Sequence, residues 1–342
     1  MKAYLGIDTS CYTTSCALIA ENGKLISEAR KILDVKPGRC GLQQSEMVFQ
    51  HTRNLPDLIE QAMVALHSKT LPCANCFCSE GCEGSDGCGA DLNSTEYELA
   101  GIGVSGYPRR QEGSYMPAFL AGMSVARSLA CTMNLPLTVL SHQENHIAAG
   151  VWSAGGPEVE RFLALHASGG TTDLLLVEYK DKQYKIEQIG GSIDLHAGQF
   201  VDRIGVALGL QFPTGPALEK LASTATAYEE LPISVRKLEV SLSGPCTAAQ
   251  RKLEAGVDGA KLALGVEYCL AETFARLFRK AAEQYHLHDV LLVGGVGCNS
   301  YIRKHLEARL AQKRIKLWVP EGRFSCDNAT GCANYARLTD TL

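Results

Sequence analysis

Two segments built alike, about 160 residues apart, constrain this chain more than any other feature. The first runs Tyr4-Leu5-Gly6-Ile7-Asp8-Thr9-Ser10 and continues through Ser15 to Ala17-Leu18-Ile19-Ala20. The second runs Phe162-Leu163-Ala164-Leu165-His166-Ala167-Ser168-Gly169-Gly170-Thr171-Thr172-Asp173, then Leu174-Leu175-Leu176-Val177. Each passes from an apolar run through a glycine- or hydroxyl-rich turn into another apolar run, the pattern of a β-hairpin. Glycine lets a backbone approach an anion closely, and consecutive N–H groups form a concave anion site. A third segment, Val290-Leu291-Leu292-Val293-Gly294-Gly295-Val296-Gly297-Cys298-Asn299, leads into a helical pattern over 301–312. One glycine turn says little, because glycine ends most strands. Two like hairpins and a strand–Gly-Gly–helix segment together predict two similar lobes. Each opens on a phosphate-facing hairpin, and the third segment holds an adenosine.

Helical spacing of apolar residues predicts helices over 45–67, 117–133 and 260–285. Strands alternating with helices make an α/β architecture. With paired lobes around a nucleotide cleft, the expected fold is of the actin–sugar kinase–Hsp70 (ASKHA) type. The turn Ala154-Gly155-Gly156-Pro157 places the boundary. An N-terminal lobe then spans 1–153 and a C-terminal lobe 154–342, whose last helix packs back on the first. A chain of 342 residues, 46% hydrophobic and 20% charged, can bury two such cores. Its net charge of −4 argues against a spread-out nucleic-acid surface while leaving room for a local basic patch. The opening residues lack the apolar run of a signal peptide, and no stretch reaches the length of a membrane span. A cytoplasmic protein with no membrane partner is expected. Nine of the 14 cysteines are scattered, among them Cys16, Cys131, Cys269 and Cys332, which suits free, buried thiols in a reducing compartment.

His142 and His146 stand four apart, which on a helix puts both imidazoles on one face. Two ligands of one metal, or two unconnected satisfied histidines, both fit that spacing. In Ser325-Cys326-Asp327-Asn328-Ala329, a polar turn opens the last helix; Asp327 offers a third ligand and Asn328 a cap.

Nearly the whole chain resembles the TsaD/glycoprotease-like family, best known for the catalytic subunit of tRNA threonylcarbamoyladenosine synthase. The resemblance is carried by Gly6-Ile7-Asp8-Thr9-Ser10-Cys11, His142-x3-His146, Ser168-Gly169-Gly170-Thr171-Thr172, Asp202-Arg203 and Pro213-Thr214-Gly215-Pro216. It continues in Ser241-Leu242-Ser243-Gly244-Pro245, Gly294-Gly295-Val296-Gly297-Cys298-Asn299 and Cys326-Asp327-Asn328. It implies that His142, His146 and Asp327 hold a divalent metal (Zn, Fe or Mg) facing nucleotide phosphates. It implies that Ser168, Gly169 and Gly170 line the phosphate or acyl-adenylate site, with Gly294 and Gly295 beside them. Asp194, Gly198, Asp202, Gly215 and Asn299 would contact ribose and base. The implied reaction is carbamoyl-type transfer from ATP-derived adenylate to an adenosine amine beside the tRNA anticodon, with AMP leaving and partner subunits assisting.

Some positions depart from the family pattern. Its acidic pair after the first cysteine is here Tyr12 and Thr13, neither of which replaces a carboxylate near neutral pH. Thr171 stands for the family's histidine, and the usual Ser/Thr-Gly-Pro-Gly turn becomes Ser105-Gly106-Tyr107-Pro108-Arg109-Arg110. A diverged paralogue with a changed acceptor is the reading these changes suggest, with Ser10, Arg109, Arg110 and Thr171 as the candidate catalytic set. Guanidinium forks bind phosphate or carboxylate bidentately; a solvated charge pair is the other reading of Arg109 and Arg110.

Between 71 and 93 lies an insertion with Cys73, Cys76, Cys78, Cys82 and Cys88. Thiolates this close bind Zn or an iron–sulfur cluster, yet the spacing follows neither pattern, and a plain thiol-bearing loop fits as well. Arg303, Lys304, Arg309, Lys313, Arg314 and Lys316 form a basic stretch, read as a solvated face or an RNA contact. Two functions compete: a metal- and nucleotide-dependent acyl transferase, and a non-catalytic nucleotide-binding partner with a thiol loop. A metalloprotease is discounted, since Glu144 sits one place late for His-Glu-x-x-His.

Overall fold

The structure, a computed structural model, describes residues 1–35, 42–66 and 97–340. Cys73, Cys76, Cys78, Cys82 and Cys88 lie outside the described residues. The first hairpin forms as the alternation predicts: β1 (Lys2–Asp8) pairs antiparallel with β2 (Thr13–Ala20), and β2 with β3 (Leu25–Ile32). After α1 (Gln44–Met63), β4 (Glu98–Tyr107) joins β1 in parallel. Past α2 (Phe119–Met133), β5 (Leu137–Ser141) adds in parallel to β4, giving the order β3-β2-β1-β4-β5. The chain then crosses through α3 (His142–Ala154).

The second half repeats this plan. β6 (Arg161–Ala167), β7 (Thr172–Lys180) and β8 (Gln183–Ser192) make an antiparallel meander. Next come α4 (Ala197–Ala207), α5 (Gly215–Ala222), the short strands β9 (Ser234–Arg236) and β10 (Glu239–Ser241), α6 (Ser243–Glu254) and α7 (Gly259–Tyr285). β11 (Asp289–Val293) then pairs in parallel with β6. After α8 (Ser300–Ala311), β12 (Lys316–Trp318) pairs in parallel with β11, and the single turn α9 (Gly322–Ser325) follows. The seven strands run β12-β11-β6-β7-β8-β10-β9, with β9 and β10 extending the far edge. Each sheet thus has a three-stranded meander whose first strand receives a parallel neighbour and then another.

The cores follow from which strand face each helix covers. One face of the first sheet packs Leu5, Ile7, Leu18 and Val104 against Leu55 and Leu58 of α1 and Ala126 of α2. The outer face of the second sheet packs Leu163, Leu165, Leu174 and Leu292 against Phe274, Leu277 and Phe278 of α7. Between the sheets, Ile147 and Ala148 of α3 and Cys332 and Tyr335 of α10 (Thr330–Thr339) pack on Phe162, Ala164, Leu175, Leu291 and Val293. The last helix lies against the first sheet at glycine: a Cβ on Gly6 would sit 2.1 Å from the Ala329 carbonyl oxygen, and one on Gly103 2.0 Å from that of Cys332. Backbone therefore meets backbone there.

Among the described cysteines, Cys16, Cys246, Cys269 and Cys332 are buried, and all eight are free. Cys131 corrects the expectation of a buried thiol: it faces solvent on α2. No described helix is long and apolar enough to cross a membrane.

Candidate functional site

Ser141 starts the first element of the site. Its hydroxyl accepts from the Glu144 N–H at 3.1 Å, while Glu144 Oε2 accepts from the Ser141 N–H at 2.6 Å, a reciprocal capping box. This fixes where α3 begins and puts His142 and His146, a turn apart, on the side facing the second sheet. Glu144 is therefore a cap and the partner of Arg110, not a general base. Asp327 comes from the loop ahead of α10. Its neighbour Asn328 holds that loop by accepting from the Thr330 N–H at 3.0 Å and donating to the carbonyls of Phe324 and Cys326 at 3.0 and 2.7 Å.

Three donor atoms converge. His146 Nε2 lies 3.2 Å from His142 Nε2 and 3.3 Å from Asp327 Oδ1, and His142 Nε2 lies 3.7 Å from that oxygen. Ligands bonded at about 2.0–2.1 Å around a tetrahedral ion stand roughly 3.4 Å apart, so these separations suit one shared divalent ion. His166, one residue before the second turn's alanine, adds a third imidazole. The nearest ring nitrogens of His142, His146 and His166 all lie within 4.8 Å of one another. Nε2 of His166 and Nδ1 of both other histidines are buried without a hydrogen-bond partner. A buried orphan nitrogen costs about 1–3 kcal/mol; a cation held by Nε2 of His142 and His146 cannot reach their Nδ1 atoms, so of the three only the His166 nitrogen stands to gain from it. Burial first, and then the His146 ring, pull His142 down to about 3; the same causes hold His166 far below its usual value. Neutral imidazoles present the lone pairs a metal needs. Burial works to raise Asp327, but the His146 hydrogen bond and the field of His142 hold it at about 2, aided by the Tyr12 backbone N–H. The donor set therefore fits a divalent metal.

Asp8 ends β1 beneath this group. Its carboxyl accepts from Ser10 Oγ at 2.9 Å and from Ser105 Oγ; burial and the nearby Asp327 charge push it up to about 7. Sequence reasoning missed both His166 and Asp8. The signal for His166 was period two: it shares a strand face with Phe162 and Ala164, the face covered by α3. For Asp8 the only signal was its place in the first turn's motif.

The second turn and the Gly-Gly segment adjoin. A Cβ on Gly294 would lie 2.3 Å from the Ala167 carbonyl oxygen, and one on Gly198 2.6 Å from the Gly169 nitrogen. By contrast, a Cβ on Gly169, Gly170 or Gly215 would meet nothing within 4 Å. Gly294, at φ +96°, needs glycine for its conformation as well. Ser168 is anchored here, its N–H donating to the Thr171 carbonyl at 2.8 Å and its own carbonyl accepting from the Gly198 N–H at 3.0 Å. The remaining nucleotide candidates are engaged by the protein. Asp194 accepts from the hydroxyls of Ser241 and Ser243 and the N–H of Leu195 and Leu242 at 2.5–2.9 Å. Asp202 Oδ1 accepts from the Thr214 N–H at 2.8 Å. Asn299 caps α8 through Ile302 at 2.9 Å and donates to Glu267 at 2.7 Å. Gly295 packs 3.8 Å beneath Cys326 Sγ, measured from its ideal Cβ position.

Arg109 and Arg110 reach carboxylates. Arg109 Nη2 donates to Asp173 Oδ2 at 2.6 Å, and Arg110 donates through Nε and Nη2 to both oxygens of Glu144 at 2.8 and 3.3 Å. Asp173 and Glu144 are 5% and 2% exposed, so both guanidiniums already neutralise buried charges. Ser10 donates to Asp8, and Thr171 offers its carbonyl to Ser168 and to Thr172. Tyr12 packs with Leu33, Met47 and Ala118, and Thr13 is buried in β2. In the late basic stretch, Arg309 binds Glu272 and Lys316 lies 3.5 Å over the Trp318 ring.

Residues 92–333 match the family described as TsaD: tRNA N6-adenosine threonylcarbamoyltransferase. A tRNA N6-adenosine threonylcarbamoyltransferase of Prochlorococcus marinus is 29% identical over 359 residues, covering 99% of this chain and 91% of that protein. A probable bifunctional tRNA threonylcarbamoyladenosine biosynthesis protein of Methanothermobacter thermautotrophicus is 26% identical over 334 residues, covering 98% of this chain. The chain spans only 55% of that relative's length. Among solved structures, component A of (R)-2-hydroxyglutaryl-CoA dehydratase from Acidaminococcus fermentans superposes with a TM-score of 0.56 at 15% identity, covering 98% of both chains. A ROK family glucokinase from Streptomyces griseus, in complex with glucose and AMPPNP, superposes at 0.53 and 9% identity, covering 98% of this chain and 99% of that one. The shared fold is the two-sheet ASKHA arrangement.

Proposed function

The chain belongs to the TsaD family of tRNA N6-adenosine threonylcarbamoyltransferases, and on that premise we propose that it is a metal- and nucleotide-dependent acyl transferase. The donor is a carbamoyl-type adenylate and the acceptor an amine, with an adenosine of tRNA as the family acceptor. The reaction joins the acyl carbon to the amine nitrogen, breaks the acyl–phosphate bond, and releases AMP and the amine's proton. The observation that carries this reading is the meeting of His142 Nε2, His146 Nε2 and Asp327 Oδ1 within 3.7 Å. His142, His146 and Asp327 would hold a divalent ion, with the His166 ring beside them on β6. When bound, the ion polarises the acyl carbonyl and offsets negative charge.

The chain's own groups do the remaining work. Gly169 and Gly170 bring backbone N–H groups to the phosphate and to the developing oxyanion, while Ser168, whose own N–H is taken by the Thr171 carbonyl, fixes the turn. Gly294 and Gly295 let the adenosine lie against the backbone. Arg109, tied to Asp173, closes the cleft between the first sheet and the second hairpin rather than gripping phosphate. The acceptor side is where this chain differs. Tyr12 is packed in an apolar cluster and Thr13 is buried, so neither offers a carboxylate to the acceptor. That observation favours a second reading, a non-catalytic adenylate-binding partner within a modification complex.

The test supplies the protein with threonylcarbamoyl-adenylate and unmodified tRNA, then measures AMP and, after nuclease digestion, modified adenosine. AMP and the modified nucleoside should appear together and fall at least 100-fold in a His142→Ala/His146→Ala variant. AMP without modified RNA means a different acceptor. Neither product, with the adenylate still bound in equilibrium dialysis, leaves the non-catalytic reading.

A further inference from the structure

At the rim of the cleft, Cys298 ends the Gly-Gly segment after β11, and Cys326 sits in the loop that carries Asp327. Their sulfurs lie 3.5 Å apart although 28 residues separate them. Cys326 is exposed and Cys298 half-buried, so the pair is open to small molecules. The Cys298 thiol also donates to the Gly322 carbonyl at 3.3 Å. Cys326 Sγ stands over Gly295, 3.8 Å from where a Cβ on that glycine would sit. Two thiols on separate segments, held nearly in contact with one side open, are arranged for thiol–disulfide exchange.

We propose that Cys298 and Cys326 form a dithiol site that a low-molecular-weight disulfide oxidises to an intramolecular disulfide, and that this bond loosens the metal loop. The Cys298 thiolate attacks one sulfur of the oxidant, forming a mixed disulfide and releasing one thiol. Cys326 then attacks the Cys298 sulfur of that bond and releases the second thiol. Two protons leave the protein, and its two electrons reduce the oxidant to two thiols. The Cys326 thiol first, and then the Arg303 guanidinium, hold Cys298 below the ordinary thiol value, which favours Cys298 as the attacking group.

The bond draws the sulfurs from 3.5 Å to about 2.0 Å. Ser325 fixes one end of the short loop: its hydroxyl donates to the Gly294 carbonyl at 2.9 Å, and its carbonyl accepts from the Gly294 N–H at 3.0 Å. The shift therefore falls on Cys326 and on Asp327 beside it. A carboxylate displaced by about 1 Å no longer matches the two histidines.

The test treats the full chain with oxidised glutathione, alkylates the remaining thiols, and maps the bonds by peptide mass spectrometry. The expected result is a peptide pair joining 298 to 326, lost on reduction. In Cys298→Ser, Cys326 should carry only a glutathione adduct. Cobalt(II) affinity should fall at least tenfold in the oxidised wild type and recover on reduction, while the oxidised Cys298→Ser and Cys326→Ser variants keep theirs. Both residues alkylated as free thiols, or bonded only to other cysteines, would overturn the proposal. A 298–326 bond with cobalt affinity unaltered would overturn the link to the metal loop. If the reduced wild type binds no cobalt, the metal reading fails, while the bond map still decides whether the dithiol site exists.

Discussion

On α7, Glu267 accepts from Asn299 Nδ2 at 2.7 Å and lies in the field of Glu219, which itself holds the Ser300 N–H at 2.8 Å. Burial first, and then Glu219, push the Glu267 carboxyl up to about 7, against the Asn299 bond. Folded protein thus binds this proton more tightly than unfolded chain does. The stabilisation is complete below the unfolded value of about 4.5 and is lost as pH rises to about 7. We expect wild-type stability in urea to drop by on the order of 1–3 kcal/mol across that window from this group. Glu267→Gln keeps an acceptor for Asn299, so its stability curve should be flatter over that window and lie above the wild type at pH 8. A wild type and variant with parallel curves would show that the carboxyl ionises at its ordinary pH. Residue chemistry of this kind cannot be read in sequence, because Glu267 looks like any helix glutamate until Asn299 and Glu219 are placed beside it. Arg109 and Arg110 show the same limit: their charge was plain, but the buried carboxylates that claim them were not.

Where two helices cross, α3 and α10 bring the metal candidates together. A Cβ on Gly331 would lie 2.0 Å from the Asn145 carbonyl oxygen and 2.4 Å from Asn145 Oδ1. The Asn145 side chain in turn donates to the Asn328 carbonyl at 2.7 Å. Gly331→Ala must therefore part α10 from α3, which carries His142 and His146 away from Asp327. Overpacking of this kind costs about 1–3 kcal/mol. The variant should melt several degrees lower in calorimetry and bind cobalt(II) at least tenfold more weakly. A loss of stability with cobalt affinity intact would mean that the crossing does not set the ligand spacing. The elements themselves were largely legible, because strand alternation and helical spacing are local: both hairpins, the Gly-Gly segment and the helices over 45–67, 117–133 and 260–285 fall within a few residues of those expected. The His142–His146 spacing was legible for the same reason. What joins helix to helix is not local: period two puts His166 on the inner face of β6, but only the fold brings it beside α3, and the 298–326 sulfur contact left no mark in the sequence pattern.

At the scale of the whole molecule, two sheets of matching topology enclose α3 and α10, and the ligand atoms come from between them. His142 and His146 follow the last strand of the first sheet, His166 lies on the second, and Asp327 precedes the helix that returns between them. The Arg109–Asp173 pair ties the first sheet to the second hairpin at 2.6 Å. A site assembled from both halves responds to how the halves sit together, and closing them excludes water from it. We infer that these cleft histidines hold a divalent ion. Elemental analysis of anaerobically purified protein tests it most directly, comparing wild type with His142→Ala/His146→Ala and with a variant lacking residues 73 to 88. About one divalent ion per chain is expected in the wild type and in the deletion, lost in the histidine variant. Metal that survives the histidine substitutions and disappears with residues 73 to 88 would contradict it.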